Sequence, residues 1–374
     1  MLLNEDQLMI QTMVRDFAQS ELLPHSADWD RHNTFPANAL NQAAALGLCG
    51  VTVAEEWDGA GSDAVSYALA IEELAAGDGA MSTIISVTNL VARILYRFGN
   101  DAQKEKYLRP VAKGERLGCF CLTEPHAGSD ASEIRTKATL ENGHYILNGT
   151  KQFVTSGQNA NIAVVFAVTD PEAGKRGISA FLVNTDNPGY KVSRVEEKLG
   201  QHASDTAQII LDNCQIDAEN LIGEPGQGYK IALSNLEFGR IGIASQCVGM
   251  AQTAFNHARQ YAKDRTSFGE PLEQHQAISF RLADMATQIE AARLMVLNAA
   301  ALQDAGQASL KQASMAKLFA SEMAEKVCSA AIQILGGYGY LKDYPVEQIY
   351  RDVRVAQIYE GTSDIQKMVI SRHI

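Results

Sequence analysis

The sequence predicts an α+β protein with a helical N-terminal domain, a central β domain and a helical C-terminal domain. Three observations predict it. Apolar residues recur at three-to-four spacing over residues 1–117, and again from Gly228 onward. Over residues 118–225 the period drops to two, and Asn-Gly, Ser-Gly and Asn-Pro turn signals separate the runs. The polar, glycine-rich stretch at 223–228 marks the second change of period. The expected domains are therefore 1–117, 118–225 and 226–374.

Each element follows from the same reasoning. Leu8, Ile10, Met13, Val14 and Phe17 define a first amphipathic helix. Further helices are expected at 38–48, 65–76, 81–98 and 101–111. Strands are expected at 118–123, 145–149, 162–168, 178–183, 190–192 and 207–211, with Asn142-Gly143 the clearest hairpin signal. Long helices should cover 229–263, 272–304 and 307–335, with shorter ones near 345–357 and 363–372. Ser363 and Gln366 have the spacing of a capping box for the last helix. The stretch at 223–228 lacks a preceding strand and the spacing of a phosphate loop, and reads as a linker turn.

Composition narrows the function. The chain carries 32 Lys and Arg against 44 Asp and Glu, a net charge of −12. That disfavours nucleic acid or an anionic membrane as the main partner, since both need clustered cations. No run of about 18 uncharged apolar residues is evident, and Met1 leads straight into polar residues without a signal-peptide pattern. A cytoplasmic protein is expected. The six cysteines are scattered through a chain too large to need disulfides, so they read as buried thiols, with no metal site.

Several reaction classes lose their motif. There is no Gly-x-Gly-x-x-Gly after a strand, no Gly-x-Ser-x-Gly elbow and no His-Glu-x-x-His. Three segments carry chemistry instead. Residues 120–130, FCLTEPHAGSD, put a loop of small polar residues after a strand, offering N–H and hydroxyl groups to a heterocycle or phosphate. Residues 149–157, GTKQFVTSG, place Phe153 and Thr155 on one strand face, where a ring can stack on a flavin and a hydroxyl can bond to it. Residues 358–366, IYEGTSDIQ, set Glu360 in an apolar run just before a helix start. A carboxylate in such a site has a raised pKa and can act as a general base. Each segment alone could equally be a structural turn or strand edge.

Together the motifs resemble the acyl-CoA dehydrogenase family along essentially the whole chain. The likeness is carried by TEPHAGSD at 123–130, NGTKQFVTSG at 148–157, GRIGIASQ at 239–246, RTSFGEPLEQHQ at 265–276, QILGGYGY at 333–340 and IYEGTSDIQ at 358–366. The resemblance implies an N-terminal α domain, a β-barrel-like middle domain, a C-terminal four-helix bundle, and a homotetramer built as a dimer of dimers. It implies FAD in the seam between the β domain and the bundle. Phe120, Leu122, Thr123 and Ser129 would line the flavin and ribityl region, with Phe153 and Thr155 against the ring. Arg265, Ser267, Phe268, Gln276, Gln333 and Gly337 would hold the pyrophosphate and adenosine half, partly across a dimer interface. Thr362 and Asp364 would complete the flavin site. Ser129, Glu237, Arg240, Gly361 and Arg372 would contact the acyl-CoA.

The resemblance also implies the reaction. Glu360 would remove the α-proton of an acyl thioester while the β-hydrogen leaves as hydride to flavin N5, giving a trans-2-enoyl-CoA. Electrons would pass to an electron-transferring flavoprotein. Some members carry the base on an earlier helix, at the position matching Gly239, which has no side chain to serve. The C-terminal half is most similar to short-chain and short-branched-chain members, of fatty acid β-oxidation and branched-chain amino acid catabolism. Members that decarboxylate glutaryl-CoA place an arginine around residues 75–90, whereas residues 71–92 here contain no basic residue, so the resemblance argues against a dicarboxylic acyl group. An acyl-CoA oxidase would show fast flavin reoxidation in air, and a non-catalytic acyl-CoA-binding protein would purify colourless.

Overall fold

A computed structural model describes residues 2–374. The N-terminal part opens with α1 (Glu5–Phe17), where Asn4 and Gln7 exchange side-chain and backbone hydrogen bonds in a capping box. A wide turn over Ala18–Leu22 leads into α2 (Leu23–His32). The apolar pattern does not predict α2, because it is polar and has a proline at its second position. Tertiary bonds hold it instead: Ser26 Oγ donates to Asp78 Oδ2 at 2.6 Å, and Asp30 pairs with Arg351 at 2.7 Å. Then come α3 (Ala37–Ala45), α4 (Ala64–Gly77), α5 (Gly79–Phe98), α6 (Asp101–Gln103) and α7 (Arg109–Ala112). By length and composition α5 could cross a membrane, contrary to the sequence reading, yet 83% of its apolar window is buried inside the protein. It is a core helix here.

The middle part holds β1 (Gly118–Cys121), β2 (Lys137–Glu141), β3 (His144–Thr155), β4 (Ile162–Val168), β5 (Ile178–Asn184), β6 (Tyr190–Val195), β7 (Thr206–Asp217) and β8 (Leu221–Ile222). They form one sheet in the order β6-β7-β3-β2-β4-β5-β8, with β1 parallel to β4. Asn142 and Gly143, with φ of 50° and 82°, make the two-residue turn between β2 and β3. The alternation missed β2, in which only Ala138 is buried. On β4, Ile162, Val164 and Phe166 pack with α5 and α7 residues, whereas Ala163, Val165 and Ala167 join a cluster that includes Leu147, Phe181 and Ile209. A strand buried on both faces reads as a continuous apolar run. The two-residue β8 does precede the stretch at 223–228, contrary to the sequence reading. The turn packs tightly there: a Cβ on Gly228 would lie 2.6 Å from the Ser179 carbonyl carbon.

The C-terminal part holds α8 (Gly228–Asp264), a ribbon of β9 (Thr266–Ser267) and β10 (Glu270–Pro271), then α9 (Gln276–Asp304), α10 (Leu310–Leu335), α11 (Val346–Val353) and α12 (Ser363–Ser371). α10 packs on α8, α9 and α12, and α8 packs on α4. The last contact is close enough that a Cβ on Gly249 would lie 2.0 Å from the Glu72 carbonyl oxygen. One apolar core runs from Val14 on α1 through α4 and α8 to Ala356, so the two helical zones form a single body flanking the sheet.

Candidate active site

The residues around Glu360 are set by a short left-handed turn. Glu360 has φ of 54° and Gly361 φ of 93°, so the chain reverses between Tyr359 and α12. Such a conformation is costly for a residue with a side chain and persists only where its surroundings enforce it. The expected capping box between Ser363 and Gln366 does not form. Thr362 is the N-cap, its Oγ1 accepting from the Ile365 N–H at 3.3 Å. Ser363 Oγ is buried without a partner. Gln366 turns back and donates to the carbonyls of Gly361 (2.8 Å) and Glu360 (3.2 Å). The reversed turn puts those carbonyls within reach of a side chain that would otherwise cap the helix.

The Glu360 carboxylate rests on α8. A Cβ on Gly239 would lie 1.9 Å from Glu360 Oε2, so the missing side chain of Gly239 makes the space the carboxylate fills. The residue as a whole is partly exposed, but its Oε2 is shut from solvent and has no hydrogen-bond partner. Burial pushes its pKa up to about 7, against the smaller opposing pull of Arg240 and Lys317. Arg240 is 6% exposed and donates from Nη1 to Ser314 Oγ at 3.1 Å, while its Nε is unpartnered. Lys317, on α10, donates to the Gly361 carbonyl at 2.7 Å, and burial lowers its pKa to about 8. Next to Glu360 in the chain, Tyr359 donates to Gln246 Oε1, and Gln246 donates to Gly79 O (2.8 Å) and Ser82 Oγ (2.7 Å). Glu237 accepts from Ser309 Oγ at 2.5 Å.

A second group gathers on the sheet. Phe120 lies on β1 with its ring 5.0 Å from Phe166, and Leu122 and Thr123 follow. The loop is stitched to β3: Gln152 N–H donates to Thr123 O at 2.8 Å, and Lys151 Nζ donates to Leu122 O at 3.2 Å and Glu124 Oε1 at 2.7 Å. Lys151 and Glu124 are 0% and 4% exposed. Burial lowers Lys151. Burial alone would raise Glu124, but the Lys151 charge and the hydrogen bonds it accepts hold it below the ordinary carboxylate range. A register shift between Lys151 and Val154 throws Phe153 outward, with φ of 56° and 64% of its surface exposed. Thr155 closes the strand opposite Thr206. Ser129 is exposed at the loop's far end.

The third group lies where α8 ends, α9 begins and α10 ends. Arg265 ends α8, Ser267 lies in the ribbon, Phe268 is 98% exposed at the ribbon turn, and Gln276 starts α9. Gln333 is exposed near the end of α10 and Gly337 just beyond it. The ring of Tyr338, beside Gly337, lies 6.3 Å from Tyr261, whose carbonyl accepts from the Arg265 N–H. Asp364 and Arg372 are exposed on α12 and its C-cap.

The motifs do not point to Lys317 or the Lys151–Glu124 pair. A lone lysine inside an apolar helical run, Met315-Ala316-Lys317-Leu318-Phe319-Ala320, is the signal that would have flagged Lys317. Glu124 and Lys151 lie within the motifs but are separated in sequence, and only the sheet brings them together.

Comparison with known proteins places the chain in a family. Residues 4–115, 119–214 and 226–374 match the N-terminal, middle and C-terminal domains of acyl-CoA dehydrogenases. The chain belongs to the acyl-CoA dehydrogenase family, an FAD-dependent family of oxidoreductases. It is 48% identical to an acyl-CoA dehydrogenase of Bacillus subtilis over 99% of this chain and 98% of that protein. It is 43% identical to a short-chain specific acyl-CoA dehydrogenase of Clostridium acetobutylicum over 100% of this chain and 98% of the relative. Among solved structures it is similar to butyryl-CoA dehydrogenase from Megasphaera elsdenii, with a TM-score of 0.98, 41% identity and coverage of 100% and 99% of the two chains. A chain in a structure described as the electron transferring flavoprotein of Acidaminococcus fermentans, towards a mechanism of flavin-based electron bifurcation, matches with a TM-score of 0.98, 43% identity, and coverage of 100% and 98%.

Proposed function

We propose that the protein oxidises a short- to medium-chain acyl-CoA to the trans-2-enoyl-CoA, with Glu360 as the base that takes the α-proton. The observation that carries this is the Glu360 carboxylate itself: lodged over Gly239, one oxygen buried and unpartnered, and poised near pH 7. A base with that pKa is half ionised at neutral pH and still accepts a proton readily. Arg240 and Lys317 lie close enough to favour its charged form. The backbone N–H of Glu360 would donate to the thioester carbonyl and stabilise the negative charge that develops as the proton leaves.

The side chains present fit FAD. Phe153 holds an exposed ring in a left-handed conformation at a strand bulge, and Ser363 Oγ and Gln366 Oε1 are buried without partners. Gly337 has open space where a Cβ would stand, and Phe268 extends almost wholly into solvent. Phe120, Leu122, Thr123, Ser129, Phe153, Thr155, Thr362 and Asp364 would hold the flavin end. Arg265, Ser267, Phe268, Gln276, Gln333 and Gly337 would hold the nucleotide end. Bound there, FAD supplies the hydride acceptor at its N5. The ring of Phe268, 98% exposed, is free to meet another subunit, and we take the assembly to be a homotetramer in which subunits share each nucleotide site. Ser129, Glu237, Arg240, Gly361 and Arg372 would contact acyl-CoA, and an electron-transferring flavoprotein would receive the electrons. Six buried thiols, none paired, suit a cytoplasmic setting.

An anaerobic titration of the purified holoenzyme with butyryl-, hexanoyl- and octanoyl-CoA tests the reading. Bleaching of the visible flavin band, strongest with the shorter chains, is the expected result. A flavin that no acyl-CoA bleaches would remove the proposal.

A further inference from the structure

The geometry points to Lys317 as a positioning residue that fixes the left-handed Glu360–Gly361 turn through its hydrogen bond to the Gly361 carbonyl and keeps a positive charge beside the base. The inference rests on the reading of Glu360 as the base.

Two lysines in this protein are buried to 0% exposure, Lys151 and Lys317. Lys151 meets a carboxylate, Glu124, at 2.7 Å. Lys317 instead donates to a neutral backbone carbonyl, also at 2.7 Å. Burying an ammonium on a neutral acceptor is costly, and an apolar side chain of similar length would pack more cheaply. The fold therefore tolerates a cost at this point of α10, and the place where that cost falls is informative. The carbonyl it holds belongs to the residue directly after Glu360, and both residues have positive φ. The same carbonyl accepts from Gln366 at 2.8 Å. Two donors from α10 and α12 thus converge on one oxygen and over-determine the turn. The donor on α10 carries charge, which makes its bond the stronger one.

The charge has a second effect. The titratable groups facing Glu360 and Lys317 are Arg240 and Cys247 from α8, Tyr67 from α4, and Tyr359, whose hydroxyl is also pushed up by burial. Cys247 and Tyr67 are both pushed up by burial and stay neutral near pH 7. Arg240 and Lys317 are left as the cations that favour the ionised base against its own burial. Lys317 is held on the backbone, so it does not occupy Glu360 Oε2, which remains unpartnered. One ammonium thereby orders the turn without blocking the oxygen that must receive a proton.

The test compares holoenzymes of wild type, Lys317→Met, Lys317→Gln and Glu360→Gln for FAD content and for kcat and KM with butyryl-CoA across the neutral pH range. Lys317→Met is expected to keep its flavin, lose about 10- to 100-fold in kcat, and move the acid limb of the pH profile up by about one unit. Lys317→Gln keeps a neutral donor. It should recover part of the kcat while the acid limb stays displaced, a split that a merely structural lysine would not give. A Lys317→Met enzyme with the wild-type kcat and acid limb overturns the proposal. So does failure of both Lys317 variants to fold, which would make the residue part of the folding core. Turnover retained by Glu360→Gln would instead overturn the assignment of the base.

Discussion

Gly239→Ala should separate stability from catalysis. The added Cβ would stand 1.9 Å from Glu360 Oε2 and 2.6 Å from the carboxyl carbon. Ordinary contact between such atoms is about 3.5 Å, so the carboxylate must retreat by roughly 1.5 Å. What it meets is the far end of a side chain rather than backbone, so the fold can absorb the change. Alanine in a helix interior is also favoured over glycine by about 1 kcal/mol. Misplacing a catalytic group by about 1 Å costs on the order of 100-fold in rate. The variant should therefore melt no lower than wild type, keep its FAD and lose about 100-fold or more in kcat with butyryl-CoA. Gly249→Ala, ten residues along the same helix, is the control. Its Cβ would lie 2.0 Å from the Glu72 carbonyl oxygen, which cannot swing away, so destabilisation of about 1–3 kcal/mol is expected. Thermal melts and steady-state kinetics of the two variants read both effects. A stable Gly239→Ala enzyme with wild-type kcat would refute the placement of the base over α8.

Glu360→Gln should retain flavin and acyl-CoA binding while kcat falls by several orders of magnitude, measured by single-turnover flavin bleaching. Because burial raises the Glu360 carboxyl to about 7, kcat should rise with pH up to about that value and level above it, and a rate flat well into the acid range would contradict the assignment. The same shift carries a stability consequence: the folded state holds this proton more tightly than the unfolded chain, so stability is lost as pH rises from about 4.5 to about 7. Glu360→Gln should thus raise the melting temperature more at pH 8 than at pH 5. Lys151→Met leaves Glu124 buried and unpaired, which should cost about 3–5 kcal/mol and lower FAD retention, read by denaturant melts and flavin content.

Much of this architecture was legible in the sequence because the relevant signals are local. The change of apolar period divides helical from β regions, and Asn142-Gly143 specifies its own turn. The motif around Glu360 places a carboxylate in an apolar run. The helix α2 escaped because its stability comes from Asp78 and Arg351, far along the chain, and β2 escaped because only one of its side chains is buried. The cap of α12 was misread because Gln366 is drawn from the N-cap to the Glu360 and Gly361 carbonyls, a competition that spacing alone does not show.

The sequence by itself determined the kind of protein: its zones, its ordered motifs and a carboxylate in an apolar run, the one we propose as the base. Only the tertiary structure decided how that carboxylate is held and what surrounds it. Glu360 is aimed at α8 by a turn of two left-handed residues, seated in the gap left by Gly239, and flanked by Arg240 and Lys317 from two other helices. The physical reason is that burial and electrostatic environment are properties of a packed site. They arise where segments far apart in sequence meet, from 43 residues for Lys317 to 121 for Gly239, and no short window of sequence contains them.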